Sequence, residues 1–201
     1  MITNSDLGKK EGGVKISIVQ NGSIVGSAVT ASNGKFKVKG TPDPSQPFEL
    51  VISKSGFVSK MMKLDFSKMN PEDAPPGNDM LPNLEVDIFK ERDGVDFSFL
   101  DKEPVAYFDW DSKKLTPRLD RGGAAEMRNR IQKLLDEAEN AADKLEADYQ
   151  AAITAGDQAF AEKRYEDALS SFEEALGYKP NEKYPADKIL ELDALIRDQK
   201  D

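Results

Sequence analysis

The chain has 201 residues and is acidic: 37 Asp and Glu outnumber 28 Lys and Arg, which gives a formal net charge of −9 at pH 7. It contains no Cys and no His, which excludes disulfides, thiolate metal sites, Ser-His-Asp triads and the usual zinc centres. The negative balance disfavours general nucleic-acid binding, which depends on cationic contacts to phosphate.

Residues 1–64 predict a series of short strands. This block is basic, since nine Lys minus four acids gives +5. Apolar and polar residues alternate over 14–19, the period of a half-buried strand. Asn21-Gly22 predicts a hairpin turn into a strand over 23–30, because both residues tolerate positive φ.

Asn33-Gly34 predicts a second hairpin turn of this kind. The strand expected after it has an apolar face, formed by Phe36 and Val38, and a cationic face. The cationic face carries Lys35, Lys37 and Lys39.

Further strands are predicted over 48–52, 57–64 and 84–89. The middle of the chain is acidic and rich in proline, which interrupts regular elements. These prolines are Pro71, Pro75, Pro76, Pro82 and Pro104. Many short strands at close spacing favour a small β-sandwich, which a strand near 104–109 would extend.

The last part of the chain predicts helices. Apolar residues recur every three or four positions over 124–147, 149–162 and 165–176. Gly177 is placed as a helix C-cap, and Tyr184-Pro185 opens a final helix. The predicted fold class is α+β, with a small antiparallel β-sandwich followed by an all-helical part of four helices, or three with one broken.

This division predicts a sandwich over 1–90, an acidic connector with aromatic residues over 91–123, and a helical domain over 124–201. The first residues contain no apolar run of the length found in secretory signals, so we expect no such signal in this sequence. It also has no apolar run long enough for a membrane span, so we expect a protein that does not cross a membrane.

Residues 10–64 resemble the carboxypeptidase regulatory-like, or transthyretin-like, β-sandwich. The resemblance depends on the SNGKF segment over 32–36 and the SKSGF segment over 53–57. In that family the first segment is a hairpin turn entering a core strand, and the aromatic residue of the second packs into the core. The resemblance implies a non-catalytic accessory domain.

Residues 149–182 are similar to a single tetratricopeptide repeat, a helix-turn-helix of 34 residues. The residues on the family's small, aromatic and proline positions are Gly156, Ala168, Phe172, Ala175 and Pro180. Ala152 and Ala159 depart from its usual Trp and Tyr. Because one repeat cannot bury a continuous core, the flanking helices have to supply its neighbours.

The order of these parts resembles a recurrent arrangement in exported proteins of Bacteroidota. It implies a cell-envelope location, which is periplasmic, outer-membrane-associated or extracellular, without an established activity.

The residue pattern gives little support to a catalytic site or a metal site. The acidic run over 85–111 lacks the D-x-D-x-D-G pattern of a calcium loop, no phosphate-binding loop is present, and nothing selects one pair of carboxylates. We therefore predict no enzymatic activity, no cofactor and no metal.

Five residues are candidates for partner binding. Lys35, Lys37 and Lys39 form a patch for an acidic polymer or lipid headgroups, protect a sheet edge, or face the chain's own acidic middle part. Tyr107 and Trp110 form either a ligand platform or the seam between sheet and helices.

The sequence thus predicts a non-catalytic interaction or scaffold module of a bacterial cell envelope, whose helical part docks a protein partner. The alternative is a carbohydrate- or peptidoglycan-binding accessory protein that uses the aromatics near Trp110.

Overall fold

The computed structural model describes residues 1–73 and 84–198. Within these ranges the chain has nine strands followed by three α-helices, which confirms the mixed α+β class. The predicted interruptions at Pro75, Pro76 and Pro82 lie outside the described residues. The strands are β1 Ile2–Asn4, β2 Lys9–Lys10, β3 Lys15–Gln20, β4 Ser23–Val29, β5 Phe48–Ser53, β6 Lys60–Asp65, β7 Val86–Ile88, β8 Ala106–Asp111 and β9 Thr116–Leu119.

The chain divides into two compact units, an N-terminal unit over Met1–Leu135 and a C-terminal unit over Asp136–Asp201. The strands β8 and β9 lie within residues 91–123, the segment that the sequence composition predicts to be a connector. The domain boundaries drawn from composition, at 90 and 123, stay predictions.

The strands of the N-terminal unit form two sheets, in the orders β2-β1-β7 and β4-β3-β5-β6-β8-β9. The β1–β7 and β6–β8 pairs are parallel, so the prediction of an antiparallel sandwich is wrong for these two pairs. The other five strand pairs that the structure describes are antiparallel. Parallel neighbours need a long crossover connection. Local alternation in the sequence carries no information about pairing between strands so far apart.

One hydrophobic core is shared by the two sheets. Ile2 from the small sheet and Ile16 and Ile52 from the large sheet are completely buried in it, together with Phe66. A second cluster surrounds Phe89, Phe97 and Leu100 and includes Ile131 of the first helix.

The segment that contains Phe36 and Val38 is not a strand, contrary to the prediction. Its link to β4 is an isolated bridge between Gly26 and Gly40. A Cβ on Gly26 would lie 2.3 Å from the carbonyl oxygen of Lys39, so the backbones approach too closely for a side chain. Phe36 and Val38 nevertheless pack against the core, as their apolar spacing requires.

The helices are α1 Arg121–Ala161, α2 Tyr165–Tyr178 and α3 Lys183–Asp198. The two helices predicted over 124–162 are one, because no proline or glycine interrupts the chain near 148. Gly177 lies inside α2, so its assignment as a C-cap is wrong. Lys179 is the C-cap, and its backbone N–H donates to the carbonyl of Ala175 at 2.9 Å. Among the described helices, none is both long and apolar enough to cross a membrane.

In the C-terminal unit, a glycine of α1 packs against an aromatic ring of α2. A Cβ on Gly156 would lie 2.8 Å from the ring of Phe172, which is itself completely buried. Ala168 and Ala175 on α2 are also completely buried. The helices can therefore approach closely only because position 156 has no side chain.

We expect Gly156→Ala to lower the free energy of unfolding by about 1–2 kcal/mol, because overpacking against Phe172 outweighs the better helix propensity of alanine. Urea unfolding followed by circular dichroism at 222 nm measures the change.

Gly177→Ala is the matched control, since a Cβ there meets nothing within 4 Å. This variant should raise the free energy of unfolding by up to about 1 kcal/mol. If both variants shift the free energy of unfolding in the same direction, close packing against Phe172 does not explain the glycine at position 156.

Candidate functional site

The lysines that the sequence places on a cationic face are all exposed. Between Lys35, Lys37 and Lys39, the intervening Phe36 and Val38 are half-buried. Side chains thus alternate outward and inward, as along an extended chain. None of the three lysines forms an ion pair with any residue that the structure describes, including the described residues of the acidic middle part.

One further lysine lies next to this surface. Lys9 and Lys10 form the exposed edge strand β2. The N–H of Ile2 donates to the carbonyl of Gly34 at 2.8 Å, and a Cβ on Gly34 would lie 3.2 Å from Cβ of Lys10. The small sheet therefore lies directly beside the start of the lysine row, which is Lys35, Lys37 and Lys39. We call this row together with Lys10 the lysine patch; Lys9 is not part of it, because neighbouring residues of a strand point to opposite faces.

Trp110 is in the core. Its side chain is only 3% exposed, and its ring meets the edge of Phe66 at a centroid distance of 6.0 Å. Its Nε1–H has no hydrogen-bond partner among the described residues. A sugar-stacking platform needs an exposed ring face, and Trp110 does not present one.

Tyr107 lies on the opposite face of β8 and is half-buried. Its hydroxyl donates to Oδ2 of Asp65 at 3.3 Å. Burial raises the pKa of this phenol, and the neighbouring Asp65 carboxylate raises it further. Beside it, Arg118 binds the Asp109 carboxylate through both Nε and Nη2, which lowers the pKa of that carboxyl group.

The structure therefore brings the three predicted lysines together but separates them from the two predicted aromatics. The lysine row lies beside β4, whereas Tyr107 and Trp110 belong to β8, four strands further across the sheet. The lysines and the aromatics are therefore two separate candidates.

Lys60 is an ionisable residue whose burial was not predicted from the sequence. It is 9% exposed, its Nζ donates to the carbonyl of Asp87 at 2.5 Å, and it lies 4.7 Å from the ring centroid of Phe89. Burial lowers its pKa to about 8, against the opposing effect of the Asp87 carboxylate. The sequence signal for this burial is that Lys60 shares one face of β6 with the apolar Met62 and Leu64.

The C-terminal unit has a mixed aromatic and charged surface between α1 and α3. The hydroxyl of Tyr184 donates to Oδ1 of Asp157 at 2.6 Å, and Nζ of Lys188 lies 4.3 Å from the ring centroid of Phe160. That hydrogen bond, with burial, raises the pKa of Tyr184 to about 12. We call Asp157, Phe160, Tyr184 and Lys188 the α1–α3 face.

Tyr184 remains 45% exposed and Lys188 is half-buried, so both are accessible from solvent. Among the described residues, no group of three or more acidic side chains is arranged to hold a metal ion. Comparison with known proteins finds no matching family model, no matching curated protein and no matching solved structure.

Lys60→Met should make the protein more stable by about 1 kcal/mol at pH 7, because a buried ammonium is replaced by an apolar side chain of similar length. The lysine pKa is about 8 in the folded state, against 10.5 for the free side chain. Between these values the unfolded chain binds more protons, so the stability of the native sequence rises with pH. The advantage of the variant should therefore shrink from pH 8 to pH 10, as followed by urea unfolding.

Lys63→Met is the control, because Lys63 is exposed on the other face of the same strand. Its stability should run parallel to that of the native chain over the same pH range. An advantage of Lys60→Met that does not change with pH contradicts the assignment of Lys60 as the titrating group.

Proposed function

We propose that this protein is a non-catalytic interaction module whose C-terminal unit binds a protein partner at the α1–α3 face. The observation that carries the proposal is the combination of groups on that face. Phe160 and Tyr184 offer aromatic surface, while Asp157 and Lys188 offer charges within the same few ångströms. Aromatic residues with polar tips are the usual energetic centres of protein interfaces.

The side chains of this face are held in place by contacts with one another. Tyr184 packs edge-on against the buried Phe172 at 6.1 Å and is tied to Asp157 by its hydroxyl. Lys188 is paired with Glu191, at 2.9 Å, as well as lying over Phe160. A partner therefore meets side chains that have already lost much of their rotamer freedom, which lowers the entropic cost of binding.

The resemblance to a tetratricopeptide repeat supports the same proposal. The close crossing at Gly156 and Phe172 involves the residues that carry the resemblance. Repeat proteins of this kind present extended surfaces to peptides and helices. We extend the proposal to a repeat-like role for the helices of the C-terminal unit, with an extended peptide or a helix as the partner.

The resemblances of the N-terminal unit support a transthyretin-like sandwich that serves as a spacer and docking element in a bacterial envelope. A single core shared by two sheets suits a rigid spacer. The alternative function, glycan binding through the aromatics near Trp110, loses its main group because Trp110 is 3% exposed.

A photo-crosslinking experiment on the full chain tests the α1–α3 face. Benzoylphenylalanine replaces the exposed Asp187, next to Lys188 on α3, in one variant and the exposed Glu173 of α2 in the control. We expect a discrete crosslinked protein from bacterial envelope extract at position 187 and none at position 173.

Excess native protein should abolish this crosslink, whereas excess Lys188→Glu protein should compete at least about tenfold less well, because charge reversal removes the cation of the face and places an acid beside Glu191. Equal crosslinking at both positions, or equal competition by both proteins, would falsify a specific site on this face.

A further inference from the structure

We propose that the lysine patch of the N-terminal unit binds an acidic polysaccharide, a linear chain of sugars that carry carboxylates. This site is independent of the α1–α3 face, because it lies in the other compact unit and uses different chemistry.

The positive charge of the patch is unpaired among the described residues. None of its four lysines forms an ion pair with any residue that the structure describes. The two acids of the adjacent β1–β2 hairpin are engaged elsewhere: Asp6 pairs with Arg92, and Glu11 pairs with Lys54 and accepts a hydrogen bond from Asn4. The cationic field of the patch therefore faces solvent.

The backbone holds these cations in order. At one end, the carbonyl of Lys35 accepts the N–H of Ala31 at 2.9 Å. At the other end, the Gly26–Gly40 bridge and the N–H of Thr41, which donates to Val25 at 3.3 Å, hold the segment against β4. Between these ends, alternate lysines on an extended chain stand about 7 Å apart on one side. The result is a row of charges rather than a single point.

A row of charges fits a linear polyanion. The lysines at 35, 37 and 39 stand along one line, and a single flexible chain can follow that line with its own charges, within a screening length of about 8 Å in physiological salt. The net charge of −9 for the whole chain disfavours general binding to nucleic acid.

Exposed hydrogen-bonding groups at the ends of the row favour a polysaccharide among linear polyanions. Ser32 and Asn33 precede the row, and Thr41 follows it. Asn33 uses its Oδ1 to accept the N–H of Lys35 at 3.1 Å, which leaves its amide hydrogens for a ligand. Sugar hydroxyls can bind these groups while the carboxylates meet lysine ammonium groups, which as point charges need no bidentate geometry.

Binding of polygalacturonate to the full chain tests the proposal. We expect binding at about 50 mM salt that is lost at about 500 mM, and no binding of neutral dextran. The triple variant Lys35→Gln, Lys37→Gln, Lys39→Gln should bind polygalacturonate about tenfold to a hundredfold less tightly. The control variant Lys102→Gln, Lys113→Gln, Lys114→Gln removes the same charge from exposed positions outside the patch and should bind normally.

Three results overturn the proposal. One is the absence of polygalacturonate binding at low salt. Another is an equal loss of binding in both triple variants, which makes net charge the cause. The third is tighter binding of polyphosphate or of phosphatidylglycerol vesicles at matched charge, which identifies another partner. If the native protein binds no polymer and the patch variant self-associates in light scattering, the lysines serve to protect the sheet edge.

Discussion

The parallel pairing of β6 with β8 is the contact that attaches β8, β9 and the start of α1 to the rest of the N-terminal unit. It aligns Leu64 with Phe108 and Asp65 with Asp109 across a connection that spans residues 66–105. Because side chains alternate along β8, this register turns Trp110 into the core and Tyr107 outward. The N–H of Asp120 then donates to the carbonyl of Tyr107 at 2.9 Å, and Oδ1 of Asp120 accepts the first amides of α1. The start of the long helix is thus set by a strand register.

The parts of the fold that depend on neighbouring residues could be predicted from the sequence. Alternation and the Asn21-Gly22 turn were sufficient for β3 and β4, because both signals act within a few residues. The β6–β8 pairing could not be predicted in this way, since its partners lie far apart along the chain. The short β9 was missed for a similar reason: it contains Pro117 and exists because it pairs with β8.

In the candidate site too, only the features that depend on neighbouring residues could be predicted from the sequence. The exposure of Lys35, Lys37 and Lys39 followed from their alternation with apolar residues, even though the segment is not a strand. The addition of Lys10 required the tertiary contact at Gly34. Lys60, which shares this basic block, lies inside the core because it occupies an inward position of β6. Position in an alternating segment therefore decides whether a lysine is exposed to solvent or buried in the core.

The position of Trp110 makes the two compact units distinguishable by spectroscopy. It is the single tryptophan of the chain, it belongs to the N-terminal unit, and it is buried beside Phe66 without a hydrogen-bond partner among the described residues. Its fluorescence therefore reports on the packing of the sheets, whereas far-ultraviolet circular dichroism is dominated by the helices. Coincident transitions in the two signals mean that the units unfold as one cooperative system, and separate transitions mean that each unit has its own stability.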